Sequence, residues 1–335
     1  MIRPARDDDA GAIVKIVGDS WREYPGCVVD IDGEAPEFLA LASYCAARGG
    51  AAWVAEADGA VVGVACTYPL QDGAWEMAKI YVVRAQRGAG VAHLLLDTAE
   101  NFARAQGAAT AKLWSDTRFD RAHRFYEKRG YVRAGAIRAL ADRSNSIEFG
   151  YAKPLTGVAV QRLDAAAAAS AEAALARVLV ACVDDGAAIS FLAPMAPDAA
   201  RAFWRKAALA VARGEKILLA AWLDGDLVGT VQLDLATPPN QPHRADLAKM
   251  MVHPAAQRRG IGRALLARIE AEGAAAGRRL LTLDTRADDR AEPMYRAAGW
   301  TECGRIPDYA LSSDGTFHDT VVFFKKVRVD SVANT

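Results

Sequence analysis

Two stretches of the chain carry the same order of hydrophobic and polar positions. Each contains a pair of short apolar runs separated by an Asp-Gly step, Asp58-Gly59 in the first stretch and Asp224-Gly225 in the second. Because both residues accept the positive φ that a tight turn requires, an Asp-Gly step between apolar runs predicts a β-hairpin. The predicted strands are 53–56 and 61–66 in the first stretch, and 217–223 and 227–233 in the second.

The same succession of elements follows each hairpin. A third predicted strand leads into a glycine-rich loop, and apolar positions at helical spacing follow that loop. A fourth strand, a helix through Tyr126 or Tyr295, and a last strand complete each stretch. The third, fourth and last strands are predicted at 78–83, 111–115 and 147–153, and again at 248–253, 280–284 and 320–326.

A long internal repeat accounts for this parallel. When the sequence is shifted by 170 residues, segment 78–100 falls on segment 248–270 with eight identities in 23 positions. The identical residues of the first copy are Ala78, Lys79, Val82, Ala85, Gly90, Leu95, Leu96 and Glu100. Solenoid repeats are far shorter, so a period of this length predicts a duplicated domain.

The repeat and its elements predict the domain organisation. We expect domains at 1–153 and 158–328, a linker at 154–157 and a tail at 329–335. Each domain is predicted to be an α/β fold of the α+β type, with a mixed, mostly antiparallel sheet flanked by helices. A parallel opening between two central strands is expected in each sheet, because the chain runs from a hairpin through a third strand and a loop into a helix.

Charge and composition narrow the class of protein. Lys plus Arg and Asp plus Glu both number 41, and this zero net charge argues against a nucleic-acid partner. Glu172 and Arg177 interrupt the longest apolar stretch, 165–183, which therefore predicts one helix of a soluble protein without a membrane span. Five scattered cysteines without a CxxC pair predict reduced thiols and a cytoplasmic location. The five histidines show no metal-ligand spacing, so no metal is expected.

Both glycine-rich loops have the composition of an anion-binding site. They read Arg87-Gly88-Ala89-Gly90-Val91-Ala92 and Gln257-Arg258-Arg259-Gly260-Ile261-Gly262. Small residues let backbone N–H groups approach a pyrophosphate, and the N-terminus of the following helix adds its positive end. No P-loop motif occurs, and a dinucleotide-binding fold is disfavoured because each loop follows an antiparallel hairpin. A plain glycine-rich turn before a surface helix is the remaining alternative.

These segments resemble the GNAT superfamily of N-acetyltransferases. Residues 249–254 with 257–266 are similar to its acetyl-CoA-binding segment, and residues 125–131 and 294–300 are similar to its C-terminal tyrosine motif. The resemblance covers both halves, and through 306–307 and 314–320 the second half also resembles the tabtoxin-resistance group of acetyltransferases. One position departs from the superfamily pattern, because Phe119 and Asp288 stand where an asparagine is common.

The resemblance implies that acetyl-CoA is the cosubstrate and that both loops hold it. In the first half the implied cofactor-binding residues are Val82, Arg87, Gly88, Ala89, Gly90, Val91 and Ala92. In the second half they are Val252, Gln257, Arg258, Arg259, Gly260, Ile261, Gly262 and Arg263. A backbone N–H near Val82 or Val252 would face the thioester carbonyl oxygen.

Four residues are candidates for proton transfer. The resemblance supplies Tyr126 and Tyr295 as acids, because a phenol stays protonated at neutral pH and can give a proton to a departing thiolate. The alternative for each is a core tyrosine that packs its ring. Glu76 and Asp246 stand at equivalent positions and are candidate bases, with a solvated strand-end carboxylate as the alternative. The superfamily's acceptor region would correspond to 19–38 and 184–204.

The sequence therefore predicts an N-acetyltransferase that moves an acetyl group from acetyl-CoA to a primary amine of a small molecule by direct attack. The alternative is a CoA-binding or interaction protein in which one or both domains lack turnover. We expect the second domain to be the main catalyst, because its loop keeps both glycines of the Gly-x-Gly step whereas the first loop ends in Ala92. A monomer or homodimer is expected, without nucleic-acid or membrane partners.

Overall fold

The chain forms two compact units. A computed structural model describes residues 1–328, so the predicted tail at 329–335 lies outside the described residues. The first unit comprises Met1–Tyr126 with Tyr131–Thr156, and the second comprises Glu127–Gly130 with the residues from Gly157 onward. Each unit is built around one sheet. Within residues 1–328, every helix is too short or too polar to span a bilayer.

The first unit contains eight strands and five α-helices. The strands are β1 (Ile2–Pro4), β2 (Ala51–Ala57), β3 (Ala60–Pro69), β4 (Trp75–Val82), β5 (Thr110–Asp116), β6 (Val132–Arg133), β7 (Arg138–Ala139) and β8 (Ile147–Pro154). The helices are α1 (Ala10–Trp21), α2 (Ile31–Glu34), α3 (Leu41–Ala46), α4 (Val91–Ala105) and α5 (Asp120–Lys128). The sheet order is β1-β2-β3-β4-β5-β8-β6, with β7 also paired to β8. Only the β4–β5 pair is parallel.

Side-chain alternation divides the first unit between two cores. On one face of the sheet, Met77 packs with Leu95 and Leu96 of α4. On the other face, Val64 packs with Phe38 and the residues around it. Each fully buried leucine contributes roughly 1.5–3 kcal/mol of transfer free energy, so α4 is fixed against the sheet directly behind the glycine-rich loop.

The described part of the second unit, which ends at residue 328, contains seven strands and five α-helices. The strands are β9 (Val158–Leu163), β10 (Lys216–Leu223), β11 (Asp226–Asp234), β12 (Arg244–Val252), β13 (Leu280–Arg286), β14 (Thr301–Leu311) and β15 (Phe317–Lys326). The helices are α6 (Ala165–Ser170), α7 (Glu172–Asp184), α8 (Pro197–Ala212), α9 (Ile261–Ala275) and α10 (Glu292–Ala297). The sheet order is β14-β15-β13-β12-β11-β10-β9, and only the β12–β13 pair is parallel. Ile261, Leu265 and Ile269 of α9 pack into the core of this sheet.

The structure confirms the mixed, mostly antiparallel sheets and both Asp-Gly hairpins. Asp58 and Asp224 have φ of 51° and 50°, as the tight turns require. The third strands begin at Trp75 and Arg244, earlier than predicted. Their first residues include polar ones that pair with the parallel neighbour, so these strands extend beyond their apolar runs.

Two other elements differ from the prediction. The apolar stretch 165–183 forms two helices, α6 and α7, which are separated by a turn at Ala171. The Ser170 hydroxyl donates to the Ala167 carbonyl at 3.0 Å, and such a bond competes with a regular helix. The long edge strand β14 was not predicted, since Pro307 and the extended Gly304 interrupt any alternation of apolar residues.

A carboxylate on the helix after each loop is tied to the last strand of its sheet. In the first unit, the Lys153 ammonium donates to Glu100 at 3.0 Å, and both side chains are buried. In the second unit, the Lys325 ammonium donates to Glu270 at 2.6 Å. The repeat thus preserves a polar contact that fixes the helix behind each glycine-rich loop.

Candidate active site

A bulge in β12 opens the sheet of the second unit beside its parallel pair. The register of β11 and β12 shifts between Thr230 and Gln232, so Lys249 and Met250 stand together opposite a single residue of β11. Lys249 has φ of 52°, and a bulge of this kind disrupts the hydrogen-bond ladder locally. The parallel pairing of β12 with β13 ends at Asp246, and the strands separate beyond it. The result is a gap between two central strands, lined by backbone groups.

The first unit repeats this opening. Lys79 has φ of 56°, and the register of β3 and β4 shifts so that Lys79 and Ile80 face one residue of β3. The parallel pairing of β4 with β5 ends at Glu76. The identical lysines of the repeat therefore mark the bulge in both units.

Both glycine-rich loops place two residues in the left-handed region of backbone conformation. Gly88 and Gly90 have φ of 84° and 85° in the first loop, and Arg258 and Gly260 have φ of 62° and 79° in the second. Gly90 and Gly260 directly precede α4 and α9. Loops with left-handed residues can turn successive N–H groups to one side and form an anion-binding concavity, which a helix N-terminus strengthens. The two loops share this backbone although their side chains differ.

The first residue of each motif closes its loop onto the preceding strand. The Gln257 amide donates to the Val252 carbonyl at 3.3 Å, and the Arg87 guanidinium donates to the Val82 carbonyl at 3.0 Å. Arg87 also forms two hydrogen bonds with the Glu23 carboxylate, at 2.7 and 2.8 Å. Its charge is therefore neutralised within the first unit.

A cavity of about 810 Å³ lies in the second unit between the loop, the bulge and β13. This volume is typical of small-molecule sites. The predicted residues that line it are Val252, Gln257, Arg258, Gly260, Ile261, Gly262, Arg263 and Tyr295. Arg259 is exposed and does not line this cleft. In the first unit, the predicted residues Val82, Arg87, Gly88, Ala89, Gly90, Val91 and Ala92 form the strand end, the loop and the start of α4.

Guanidinium groups surround the cleft of the second unit. Arg258 and Arg263 come from the loop and the first turn of α9, Arg286 is the last residue of β13, and Arg290 lies in the segment after that strand. At the positions equivalent to Arg258 and Arg263, the first unit has Gly88 and His93. The cleft of the second unit is therefore better suited to a polyanion.

Tyr295 reaches the cleft from α10. Its hydroxyl donates to the Met250 sulfur at 3.6 Å, so the phenol lies beside the bulge. Burial raises the pKa of Tyr295 well above its usual range, and burial does the same to Tyr126 in the first unit. Both phenols therefore remain protonated at neutral pH.

The candidate bases occupy matching positions in the two sheets, but Asp246 does not line the cleft. The Asp246 carboxylate accepts hydrogen bonds from the Thr282 hydroxyl and from Arg244, the latter at 2.5 Å. In the first unit Glu76 is partly buried, and burial raises the pKa of its carboxyl. Asp246 is thus held in a local network at the start of the strand, and its role as a base stays a prediction.

The structure adds two charged residues that the sequence argument did not single out. Lys249 lines the cleft and donates to the Ile189 carbonyl at 2.8 Å and to the Ser190 hydroxyl at 2.9 Å. Asp284 lies on β13 directly after the buried Leu283, and it lines the cleft. The alternation along the predicted strand 280–284 was the available signal for Asp284, because buried leucines at 281 and 283 place residue 284 on the opposite face.

Cys182 contributes a thiol to the wall of the cleft. The thiol donates to the Val252 carbonyl at 3.4 Å, and burial raises its pKa to about 12. A thiol of this kind packs as a small apolar group and is not an activated nucleophile. Within residues 1–328, no cluster of three His, Cys, Asp or Glu side chains is arranged to hold a metal ion.

The acetyltransferase (GNAT) family matches the sequence twice, at residues 14–131 and 183–300. This chain belongs to the GNAT acetyltransferase family. The second match extends from the end of α7 through the cleft to Trp300, and the first contains the equivalent loop and Tyr126. Two matches establish the tandem arrangement of GNAT segments, while the resemblance to the tabtoxin-resistance group stays a prediction.

Individual relatives have similar descriptions. An uncharacterized N-acetyltransferase of the hisH-hisA intergenic region of Azospirillum brasilense is 34% identical over 129 residues, which are 37% of this chain and 75% of the relative. The Salmonella typhimurium protein yncA, solved with acetyl-CoA, is 19% identical, with a TM-score of 0.44 over 54% of this chain and 99% of its own. The ribosomal-protein-alanine N-acetyltransferase of Brucella melitensis is 22% identical, with a TM-score of 0.44 over 50% of this chain and 99% of its own.

Proposed function

We propose that the second unit transfers an acetyl group from acetyl-CoA to the primary amine of a small molecule, by direct attack of the amine on the thioester. The observation that carries this proposal is one cleft that joins the left-handed loop, the bulged strand and the Tyr295 hydroxyl. Each of these three features suits a different part of acetyl-CoA and of its reaction.

The loop suits the pyrophosphate of acetyl-CoA. Its N–H groups and the N-terminus of α9 supply donors for phosphate oxygens, and Arg258 and Arg263 supply positive charge. Gly262 is the second residue of α9, and an added Cβ there would come 3.2 Å from the Met294 sulfur. The absence of a side chain at Gly262 therefore keeps the helix N-terminus close to Met294.

The gap between β12 and β13 suits the thioester. Backbone N–H groups released by the bulge near Lys249 and Met250 can donate to the carbonyl oxygen as it gains negative charge. The amine nitrogen bonds to the carbonyl carbon, the carbon–sulfur bond breaks, and the ammonium proton passes to a base. The Tyr295 hydroxyl is positioned beside the bulge to protonate the departing thiolate.

We propose further that the first unit contributes little turnover. Its loop has the same backbone, but its one arginine is neutralised by Glu23. It has Gly88 and His93 where the second unit has two arginines of the cleft. A loop with these side chains provides less positive charge for a pyrophosphate.

The test is thiol release from acetyl-CoA by the purified full chain, measured with a panel of amines and with acetyl-CoA alone. Amine-dependent release of CoA, with the acetylated amine identified by mass spectrometry, is the expected result. Binding of acetyl-CoA without release in the presence of any amine would instead favour the alternative of a CoA-binding protein without turnover.

A further inference from the structure

A second cavity of about 530 Å³ adjoins the cleft of the second unit. The loop 186–192, β13 and the turn between β14 and β15 form its walls. The two cavities share several wall residues, and among residues 1–328 Asp284 is the one carboxylate that belongs to both sets. Asp284 therefore stands where a molecule in the second cavity would meet the bulge and Tyr295.

Within residues 1–328, the Asp284 carboxylate forms no salt bridge, although the Lys249 ammonium of the same cleft interacts with it electrostatically. The carboxylate accepts a hydrogen bond from the Thr320 hydroxyl at 3.4 Å. Arg286, the nearby guanidinium of both cavities, is engaged with Asp289 at 3.4 Å and with the Gly186 carbonyl at 3.3 Å.

Asp319, another carboxylate in the wall of the second cavity, differs from Asp284 because it forms a salt bridge. The Asp319 carboxylate is paired with the Arg305 guanidinium at 2.7 Å and accepts from the Asp308 amide at 3.0 Å. Its charge is therefore largely satisfied within the β14–β15 hairpin. In the described part of the chain, three carboxylates, those of Asp284, Asp314 and Asp319, line the second cavity beside one guanidinium, that of Arg286, so this wall favours a cationic group over an anionic one.

Part of the remaining wall is apolar and exposed. Leu192, Tyr309 and Leu311 line the cavity, and they are 50%, 54% and 47% exposed. Phe191 lies beside them and packs its ring near the Lys249 ammonium, 5.4 Å from the ring centre. Large exposed apolar residues gathered around one concave site indicate that an apolar ligand covers them.

We propose that this cavity binds the acceptor as an ammonium ion held by Asp284, and that it selects a primary amine on an apolar body without a carboxylate. The reacting nitrogen is then held at the junction with the acetyl-CoA cleft, and its apolar body contacts Tyr309, Leu311 and Phe191. An acceptor carboxylate would face Asp284 and Asp319 without a free guanidinium. The binding stands by itself, and only the transfer step rests on the proposed function.

The first unit provides an internal comparison. Asp246 pairs with Thr282 in the second unit and Glu76 pairs with Lys112 in the first, so the repeat places Trp114 where Asp284 stands. The Arg138 guanidinium lies 4.1 Å from the centre of the Trp114 ring. The first unit therefore has no carboxylate at this position to hold an ammonium.

Three ligands of one shape test the proposal on the full chain. Phenethylamine carries the ammonium and the apolar body, phenylalanine adds a carboxylate, and 2-phenylethanol replaces the ammonium by a hydroxyl. Calorimetric titrations are run with the CoA cleft empty and again with CoA added. We expect phenethylamine to bind at least about tenfold more tightly than the other two, since a lost charge-assisted bond costs about that factor.

Single substitutions distinguish the role of Asp284 in binding from that of Asp246, the candidate base. Asp284→Asn should weaken phenethylamine binding by about tenfold or more, and the variant should still bind CoA, which shows that the cleft is formed. Asp246→Asn should leave phenethylamine binding unchanged, because Asp246 lines neither cavity. Asp198→Asn, an exposed change on α8, is the matched control for the loss of one negative charge.

Each outcome decides one question. Equal binding of phenethylamine to the wild type and to Asp284→Asn overturns the inference, as does tighter binding of phenylalanine or no binding of phenethylamine. Binding that depends on Asp284 without release of thiol from acetyl-CoA supports the inference and contradicts the proposed transfer. Release of thiol with other amines, unchanged in Asp284→Asn, supports the proposed function and overturns the role of Asp284.

Discussion

Lys153 and Glu100 form an ion pair inside the first unit, with side chains only 3% and 1% exposed. The equivalent pair in the second unit, Lys325 and Glu270, is 22% and 16% exposed. The same ion pair is thus fully buried in one unit and partly exposed in the other. One substitution in each unit can measure how its contribution to stability depends on burial.

Lys153→Met removes the ammonium from the buried Glu100 carboxylate, which keeps the Tyr131 hydroxyl at 2.9 Å and the Arg104 guanidinium at 3.4 Å. Breaking a buried pair costs about 3–5 kcal/mol in free energy of unfolding, and these remaining partners place the expected loss at the lower end of that range. Lys325→Met should cost less, because solvent reaches the Glu270 side chain. Urea unfolding, followed by tryptophan fluorescence, measures both changes, and equal losses would contradict the dependence on burial.

Gly260→Asp should abolish the stabilisation of the chain by CoA. An added Cβ at residue 260 meets no atom within 4 Å, so the change acts through its negative charge and the positive φ. CoA at a hundredfold excess over its dissociation constant should stabilise the wild type by roughly 2.7 kcal/mol. Thermal unfolding with and without CoA measures this difference.

Two controls isolate the charge at position 260. Gly260→Ala introduces the same backbone strain, about 1–2 kcal/mol, without a carboxylate, and it should keep most of the CoA response. Gly90→Asp makes the matched change in the first loop and should keep it as well. If Gly260→Asp retains the full response, the assignment of this loop to CoA is wrong.

Tyr295→Phe should lower kcat by about 10²–10⁴-fold with little change in CoA affinity, because only the hydroxyl that protonates the thiolate is lost. Tyr126→Phe should have a much smaller effect. Since burial raises the pKa of Tyr295, its ionisation should not appear as a falling limb of the rate between about pH 6 and 9. Steady-state kinetics across this range test both statements, and equal losses in the two variants would indicate two working units.

Glu76→Gln should raise the free energy of unfolding at neutral pH. Burial raises the pKa of Glu76 in the folded state, so the folded state binds the proton more tightly than the unfolded state. Stability therefore falls as pH rises from the unfolded value, about 4.3, through the raised folded value. Glu76→Gln does not lose stability in this way. Its higher free energy of unfolding relative to the wild type should therefore vanish below about pH 4. Chemical unfolding at pH 4 and pH 7 provides the comparison, and an advantage at both pH values would point to a different cause.

The repeat in the sequence predicted much of the fold because its identical residues serve packing. Leu95, Leu96 and Glu100 recur for this reason, since they are buried in the first unit and their counterparts fill the same places in the second. Lys79 and Lys249 were also visible as identities, yet the bulge they mark depends on the register between strands. A single sequence does not contain that register.

The site was predictable where backbone conformation follows from local sequence, as at the glycine before each helix. Side chains brought together from distant segments were not. Asp284 lines the cleft through strand pairing, and Asp246 is held away from it by Arg244 and Thr282. Arg259 belongs to the predicted motif, but it points to solvent. Spacing along the chain predicts which residues share a loop and leaves open which of them face inward.

The left-handed conformation of Arg258 gives substitutions at this position opposite effects in the two loops. A residue with a Cβ at this φ costs about 1–2 kcal/mol relative to glycine, and the first copy has Gly88 at the same place. Replacing Arg258 by glycine would relieve that cost while removing a guanidinium from the cleft, whereas replacing Gly88 by arginine would incur it. The second loop therefore carries a conformational cost that the first loop lacks, and in return it places the Arg258 guanidinium beside the cleft.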